Sequence, residues 1–204
     1  MKDIYKIYPR NAYIAGRAPV TTMEWNPSMD IVTDSRHKYF LHQAYKSATE
    51  CSDDPFTKVG AVLVRKEREG YRMFARGANV LPRSIEGTQS DLAGLLADRA
   101  WKNANMNHAE KVVIEIARLY NAEVKGSIMY MPWIPCEGCA DEIKKAGIAE
   151  LVGHKAMIMK TPERWWESTN KALEDLKRQG VICRMYDGKI GNVFSTFNGE
   201  VWTP

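Results

Sequence analysis

The sequence predicts a three-layer α/β/α sandwich over a central mixed sheet of five strands. Short apolar, β-branched runs alternate with amphipathic stretches of helical period, in the order α-β-β-α-β-α-β-α-β. The first two strands follow one another across a short charged turn and demand antiparallel pairing, whereas the later helix-linked strands demand parallel crossovers. At 204 residues with 45% hydrophobic content, the chain has the apolar material for one domain with appendages and needs no disulfide staples.

Residues 1–34 carry Pro9, Pro19 and Pro27, several aromatic residues and no sustained period. They are expected to form an N-terminal arm that wraps the domain or a partner subunit. The domain itself is placed at 35–186. It opens with "SRHKYFLHQAYKSATE", in which Tyr39, Phe40, Ala44 and Ala48 fall on one helical face. That helix stops near "CSDDP", because Pro55 disfavours the α conformation in the residue before it. "VGAVLV", the turn "RKEREG" and "YRMFARGANV" read as a strand, a hairpin and a second strand.

Residues 81–107 are polar, and "SDLAGLLADRAWKN" within them holds a helical pattern. "HAEKVVIEIARLY" is a helix whose apolar face is expected to comprise Val112, Val113, Ile116, Leu119 and Tyr120. "SIMYMPW" reads as a buried third strand. "PCEGCADEIKKAG" is a helix with a proline at its start and Gly147 at its C-cap position. "ELVGHKAMI" gives the fourth strand, and "PERWWESTNKALEDLKRQG" an amphipathic helix stopped by Gly180. "VICRMY" gives the fifth strand. Residues 187–204 form a tail, read as a hairpin or a partner-facing extension.

Composition narrows the function classes. No run approaches the ~18–20 apolar residues of a membrane span. The first twenty residues lack a signal-peptide core. Four cysteines, two of them in one C-x-x-C, do not make a secreted disulfide framework. The expected setting is cytoplasmic. A formal charge of +4 is spread among interspersed acids, which argues against a nucleic-acid partner and leaves a phosphorylated metabolite compatible.

Chemistry concentrates in "HAE" (108–110) and "PCEGC" (135–139). A C-x-x-C at a helix start is compatible with a redox dithiol. A structural zinc knuckle needs a second ligand pair, and Cys51, Cys183, His37, His42 and His154 are all isolated. His108 remains. With Cys136 and Cys139 it makes three ligands, the number that leaves a zinc ion one open position. Both helices are expected to begin at one edge of the sheet, with the thiolates favoured by the exposed N–H groups of a helix start. Glu110, two positions from a ligand, is placed to move a proton.

These motifs, 24 residues apart (111–134), match the H-x-E…P-C-x-x-C signature of zinc nucleoside and nucleobase deaminases. "DPFTKVGAVLV", "GANVLP" and "SIMYMPWIPCEGCADEIKKAGIAELV" further resemble segments of the deoxycytidylate (dCMP) deaminases, over roughly residues 36–186. The resemblance implies a cytidine deaminase-like fold and hydrolysis of dCMP to dUMP and ammonia, a C–N bond hydrolase serving deoxyuridylate supply. It implies Zn²⁺ on His108, Cys136 and Cys139, with Glu110 as proton shuttle to N3 and then to the departing amine. It also places Asn79 at the sugar, and Ala109 and Pro135 beside the substrate. Trp133 stands where the DNA- and RNA-editing cytidine deaminases carry the Trp of S-W-S-P-C, at the pocket wall against a pyrimidine. Arg99 and Lys102, just before His108, are candidates for a phosphate, as is Arg83. A homo-oligomer is expected.

The chain also departs from the family pattern. "HAEKVVIEIA" lacks the family's following asparagine. Ala78 and Val80 replace the tyrosine and second glycine of G-Y-N-G, so triphosphate regulation through that segment is not expected. The rival readings are a deaminase of a base in tRNA or single-stranded DNA, and a non-catalytic module that keeps zinc only to hold two helices.

Overall fold

Close approach between layers sets the architecture. Gly60 sits where a Cβ would lie 2.6 Å from the Ala48 nitrogen, and Gly77 where one would lie 3.0 Å from the Val113 nitrogen. Helices therefore press directly onto backbone on the two faces of the sheet. The structure is a computed structural model and describes residues 25–82 and 92–204.

The strands are β1 (Asp30–Val32), β2 (Gly60–Glu67), β3 (Gly70–Ala78), β4 (Ile128–Tyr130), β5 (Glu150–His154) and β6 (Ile182–Tyr186). They form one sheet in the order β1-β6-β5-β4-β2-β3. β2 runs antiparallel to both β3 and β4, and the pairs from β4 through β5 and β6 to β1 are parallel. The three-layer mixed-sheet expectation holds, with six strands instead of five. The additional strand comes from the segment read as arm: Asp30–Val32 pairs in parallel with Arg184–Tyr186. Three residues are too short a run to stand out as a strand by period.

On one face lie α1 (Ser35–Cys51) and the C-terminal hairpin of β7 (Ser195–Phe197) and β8 (Glu200–Trp202). Phe40, Leu41 and Tyr45 pack there on Val62, Val64, Tyr130 and Val152. On the other face lie α4 (Ala109–Leu119), α5 (Glu137–Ala146) and α7 (Trp166–Arg178). Val113, Ile114, Ile143, Leu173 and Leu176 pack there on Leu63, Met129, Leu151 and Cys183. Successive residues of β2, β4 and β5 serve opposite faces, as the strand pleat requires. Short helices α2 (Leu92–Ala97), α3 (Arg99–Asn105) and α6 (Lys155–Ile158) complete the described residues.

Three local expectations are corrected. Tyr39 is 58% exposed while Phe40, Ala44 and Ala48 are buried. α4 buries Ala109, Glu110, Val113, Ile114 and Ala117, whereas Leu119 and Tyr120 are 79% and 82% exposed. Gly77 lies against Val112 and Val113 of α4, and the buried face runs through Ala109, Val113, Ile114 and Ala117, so Leu119 and Tyr120 turn outward. Finally, "ELVGHKAMI" is a strand only to His154, after which Lys155–Ile158 turns helical. The preceding arm residues 25–34 dock on the domain: Trp25 stacks on Trp166 at 5.7 Å and donates its indole N–H to the Ile158 carbonyl. Residues 1–24 lie outside the described residues. Among the described residues, no helix is long and apolar enough to cross a membrane.

Two predictions follow from this packing. Gly60→Ala destabilises the domain by about 1–3 kcal/mol, the cost of overpacking a filled interface, read from denaturant midpoints. His154 is buried, with Nδ1 2.7 Å from the Tyr45 hydroxyl and Nε2 2.9 Å from the Gly188 carbonyl. Burial holds its pKa below the ordinary 6.5, partly offset by the bond to Gly188. The unfolded chain therefore binds this proton more readily, and the stability His154 contributes is lost as pH falls below about 6.5. The Tm of wild type is expected to drop more steeply between pH 7 and 5 than that of His154→Asn.

Candidate active site

Strand register brings the two motif helices to one edge. Gly60 pairs with Ala78 and Val62 with Tyr130, so the C-terminal ends of β3 and β4 flank the start of β2 at one edge of the sheet. α4 begins just beyond the first end and α5 just beyond the second. The anti-parallel bridge Val80–Asn107 holds the approach to His108, while bonds from Met131 N–H to the Val152 carbonyl and from His154 N–H to the Pro132 carbonyl hold the approach to Cys136. His108 is the N-cap of α4, Cys136 the N-cap of α5, and Cys139 its third helical residue. Pro135 thus stands one residue before the cap, in the extended segment that aims it. It is buried and does not line the cavity, against the expectation that it lies beside the substrate.

Nδ1 of His108 lies 3.3 Å from Cys139 Sγ and 3.6 Å from Cys136 Sγ, and the three ligand atoms all fall within 4.8 Å of one another. Two thiols and one imidazole, converging at this range, fit a tetrahedral zinc ion with its fourth position open. Without metal, the hydrogen bond from Cys139, followed by the His108 charge and bond, holds Cys136 down to about 4. The same thiol–thiol bond pushes Cys139 up. The bond to Cys136 lifts His108 to about 9 against the effect of burial. The group already favours a thiolate beside a cation, the charge pattern a metal replaces. A freely titrating redox dithiol would leave the histidine without a role.

Glu110 is buried on the first turn of α4. Burial, the largest effect, raises its carboxyl pKa, and the neighbouring His108 partly counters this. Burial of this kind makes a carboxyl able both to accept and to return a proton near neutral pH.

A cavity of about 290 Å³ opens over His108, Glu110 and Cys136. Asn79, Ala109, Trp133, Arg99 and Lys102 all line it. Trp133 donates its indole N–H to Thr161 Oγ1 at 2.7 Å and meets Trp165 and Phe197 edge-on. Tyr130 serves the opposite layer, 3.1 Å from His37 Nδ1, as the pleat predicts. Asn79 is more occupied than its expected sugar role implies. Its amide oxygen accepts from Ser52 Oγ and Val59 N–H and its Nδ2 donates to the Thr57 carbonyl, leaving one N–H for a ligand. Lys102 pairs with Asp54 at 2.9 Å, with both side chains largely buried. Arg83 lies outside the described residues.

Among the lining residues that sequence reasoning missed are Asp54, Arg164 and Asn198. Asp54 shapes its loop by accepting from Phe56 and Thr57 N–H. Arg164 sits in a 3-10 turn, Glu163–Trp165, that precedes α7. Asn198 comes from the β7–β8 turn, docked on the same loop through Thr57 and Phe56. Asp54 opens the family-like segment "DPFTKVGAVLV", and Asn198 lies in the tail read as a hairpin; nothing in the sequence pointed to Arg164.

A three-ligand metal site with an open position, a buried carboxylate beside it and a cavity above define a metal-dependent hydrolytic centre on an α/β/α sandwich. Residues 34–155 match the family model of the cytidine and deoxycytidylate deaminase zinc-binding region, a span that contains all three ligands and Glu110. The chain belongs to this family, and its metal is zinc. It is 29% identical over 171 residues to the deoxycytidylate deaminase of Mus musculus, covering 79% of this chain and 85% of that one. The deoxycytidylate deaminase of Homo sapiens is 33% identical over 122 residues, 56% of this chain and 62% of that one. The solved dCMP deaminase of the cyanophage S-TIM5 shares the fold, with 15% identity, a TM-score of 0.52, and coverage of 76% of this chain and 98% of that one.

The Lys102–Asp54 pair yields a prediction. Lys102→Met leaves Asp54 buried and uncompensated, and is expected to cost about 3–5 kcal/mol of stability, measured by chemical denaturation of the zinc-loaded protein.

Proposed function

We propose that the chain hydrolyses the exocyclic amine of a cytosine nucleotide, most simply dCMP, to give dUMP and ammonia. The observation that carries this reading is the buried Glu110 beside a His/Cys/Cys group, inside a cavity lined by indole and guanidinium groups. The similarity to deoxycytidylate deaminases supports the choice of substrate.

In this reading His108, Cys136 and Cys139 hold zinc. When bound, zinc supplies a Lewis acid that makes a water molecule nucleophilic at neutral pH. The chain's own groups do the rest. Trp133 provides an edge of the base slot. The remaining Asn79 N–H meets the sugar. Glu110 takes the proton released as water adds at C4 and delivers it to N3, then takes the proton of the new C4 hydroxyl and passes it to the amino group as the C4–N bond breaks. The base gains a C4 carbonyl and ammonia leaves, so atoms and charge balance. Ala109, at the start of α4, offers a backbone N–H on the cavity side. The reading includes a cytoplasmic homo-oligomer, and the exposure of Leu119 and Tyr120 supports a self-association face.

Glu110→Gln is isosteric and removes the proton carrier. Turnover of dCMP is expected to fall by about 10²–10⁴-fold while metal analysis still finds one zinc per chain. Loss of zinc in that variant would make Glu110 a ligand instead. Activity on a cytosine or adenine within single-stranded DNA or tRNA, with none on dCMP, would overturn the choice of substrate.

A further inference from the structure

The cavity lining contains three cationic side chains, and they are not equivalent. Lys102 is spoken for: its ammonium lies 2.9 Å from Asp54 and 5.5 Å above the Phe56 ring. Its charge is neutralised within the wall, so it braces α3 against the loop at 54–57. Arg99 and Arg164 are different. Among the described residues, neither guanidinium has a carboxylate oxygen within 4.0 Å. The two come from separate elements, the first turn of α3 and the 3-10 turn before α7, yet line one cavity.

We propose that Arg99 and Arg164 together form a clamp for the 5′-phosphate of the substrate, with Lys102 excluded from that role. This rests on the deaminase reading above and assigns its requirement for a monophosphate to two named side chains.

The mounting of Arg164 is rigid, as a clamp needs. Its turn is closed by a bond from Trp165 N–H to the Pro162 carbonyl. Thr161, immediately before, is buried; its hydroxyl accepts from Trp133 and its carbonyl accepts from the Trp166 indole. Trp25 stacks on Trp166 from outside. The segment that presents Arg164 is thus bonded to the indole assigned to the base slot, so base and phosphate positions are held by one unit. Arg99 follows Asp98, whose carboxylate caps α3 through Ala100 and Trp101 N–H.

Charge supports the same assignment. Partial burial first, and the charge of Arg99 second, hold Arg164 below the ordinary pKa of a guanidinium, so the two cations sense one another. Like charges turned into one space repel, and a phosphate dianion between them relieves the repulsion while accepting from both forks. The carboxylates of the cavity lie elsewhere: Asp54 in its pair with Lys102, and Glu110 with the metal ligands. A substrate with a neutral base and an anionic tail has one matching orientation, base toward Glu110 and phosphate toward the arginines. Phe56 and Trp165 add apolar wall to the same cavity.

The test compares wild type, Arg164→Ala, Arg99→Ala and Lys102→Met, zinc-loaded, on dCMP and deoxycytidine. A calorimetric titration with dUMP and deoxyuridine runs alongside. Either arginine variant is expected to lower kcat/KM for dCMP by about 10- to 100-fold, through KM, and to leave deoxycytidine within about 3-fold, a change worth under one hydrogen bond. Lys102→Met is expected to change both substrates by the same factor. Equal losses on both substrates in the arginine variants, or none on dCMP, would overturn the clamp while leaving the deaminase reading intact. If wild type deaminates neither compound but binds dUMP more tightly than deoxyuridine, and Arg164→Ala erases that difference, the clamp stands and the deaminase reading falls. Equal wild-type affinity for dUMP and deoxyuridine overturns the clamp directly.

Discussion

Everything in the site depends on two helices starting at the same edge of the sheet. β2 is the strand that secures this. Lying antiparallel between β3 and β4, it matches its own beginning to the ends of both neighbours, so the chain leaves β3 and β4 at one place and can begin α4 and α5 there. An N-cap histidine and an N-cap cysteine then meet, and Cys139, three residues on, reaches the same point from the first turn of α5. Helix starts suit thiolates, because the first N–H groups are unpaired and the dipole is positive there. Glu110 shares that edge but remains buried, a cost in desolvation that appears as its raised pKa.

The cavity above this edge sorts its charges by position. The acidic groups of the metal site sit with Glu110, an ion pair braces one wall, and two exposed arginines line the same cavity. Paired charge such as Lys102–Asp54 adds rigidity and little field. An unpaired like-charged couple does the reverse, and its repulsion is tolerable because Arg99 and Arg164 both retain access to water. On the proposed clamp, the difference decides which cation holds a wall and which addresses a ligand. Proximity in sequence to His108 favours Arg99 and Lys102 equally; geometry separates them.

Legibility in the sequence followed the physics of each element. The metal group was legible because ligand chemistry restricts residue type and spacing, and the order of strands and helices because burial imposes a period. β1 was hidden: it is three residues long and owes its pairing to the waiting edge of β6. The buried face of α4 was misjudged because the bulkiest side chains suggested Leu119 and Tyr120, whereas the face that packs runs through Ala109, Val113, Ile114 and Ala117. Asp54, Arg164 and Asn198 occupy loops and turns with no period to betray which way they face.

Those hidden residues also change what the ends of the chain are for. The matched zinc-binding region stops at 155, and both Arg164 and Asn198 lie beyond it. Phe197 meets the Trp133 indole edge-on at 5.1 Å, and the neighbouring turn docks through Asn198 N–H on Thr57 and Gly199 N–H on the Phe56 carbonyl. On the other side, Trp25 from the N-terminal segment backs Trp166, and Trp166 is bonded to the residue that holds Trp133. One indole is thereby fixed by segments from both ends. The metal edge alone specifies where a water molecule is activated; it says little about what is brought to it. On the proposed reading that second task falls to the 3-10 turn and the terminal hairpin, where side chains can change without disturbing the sheet register that aligns the two helices.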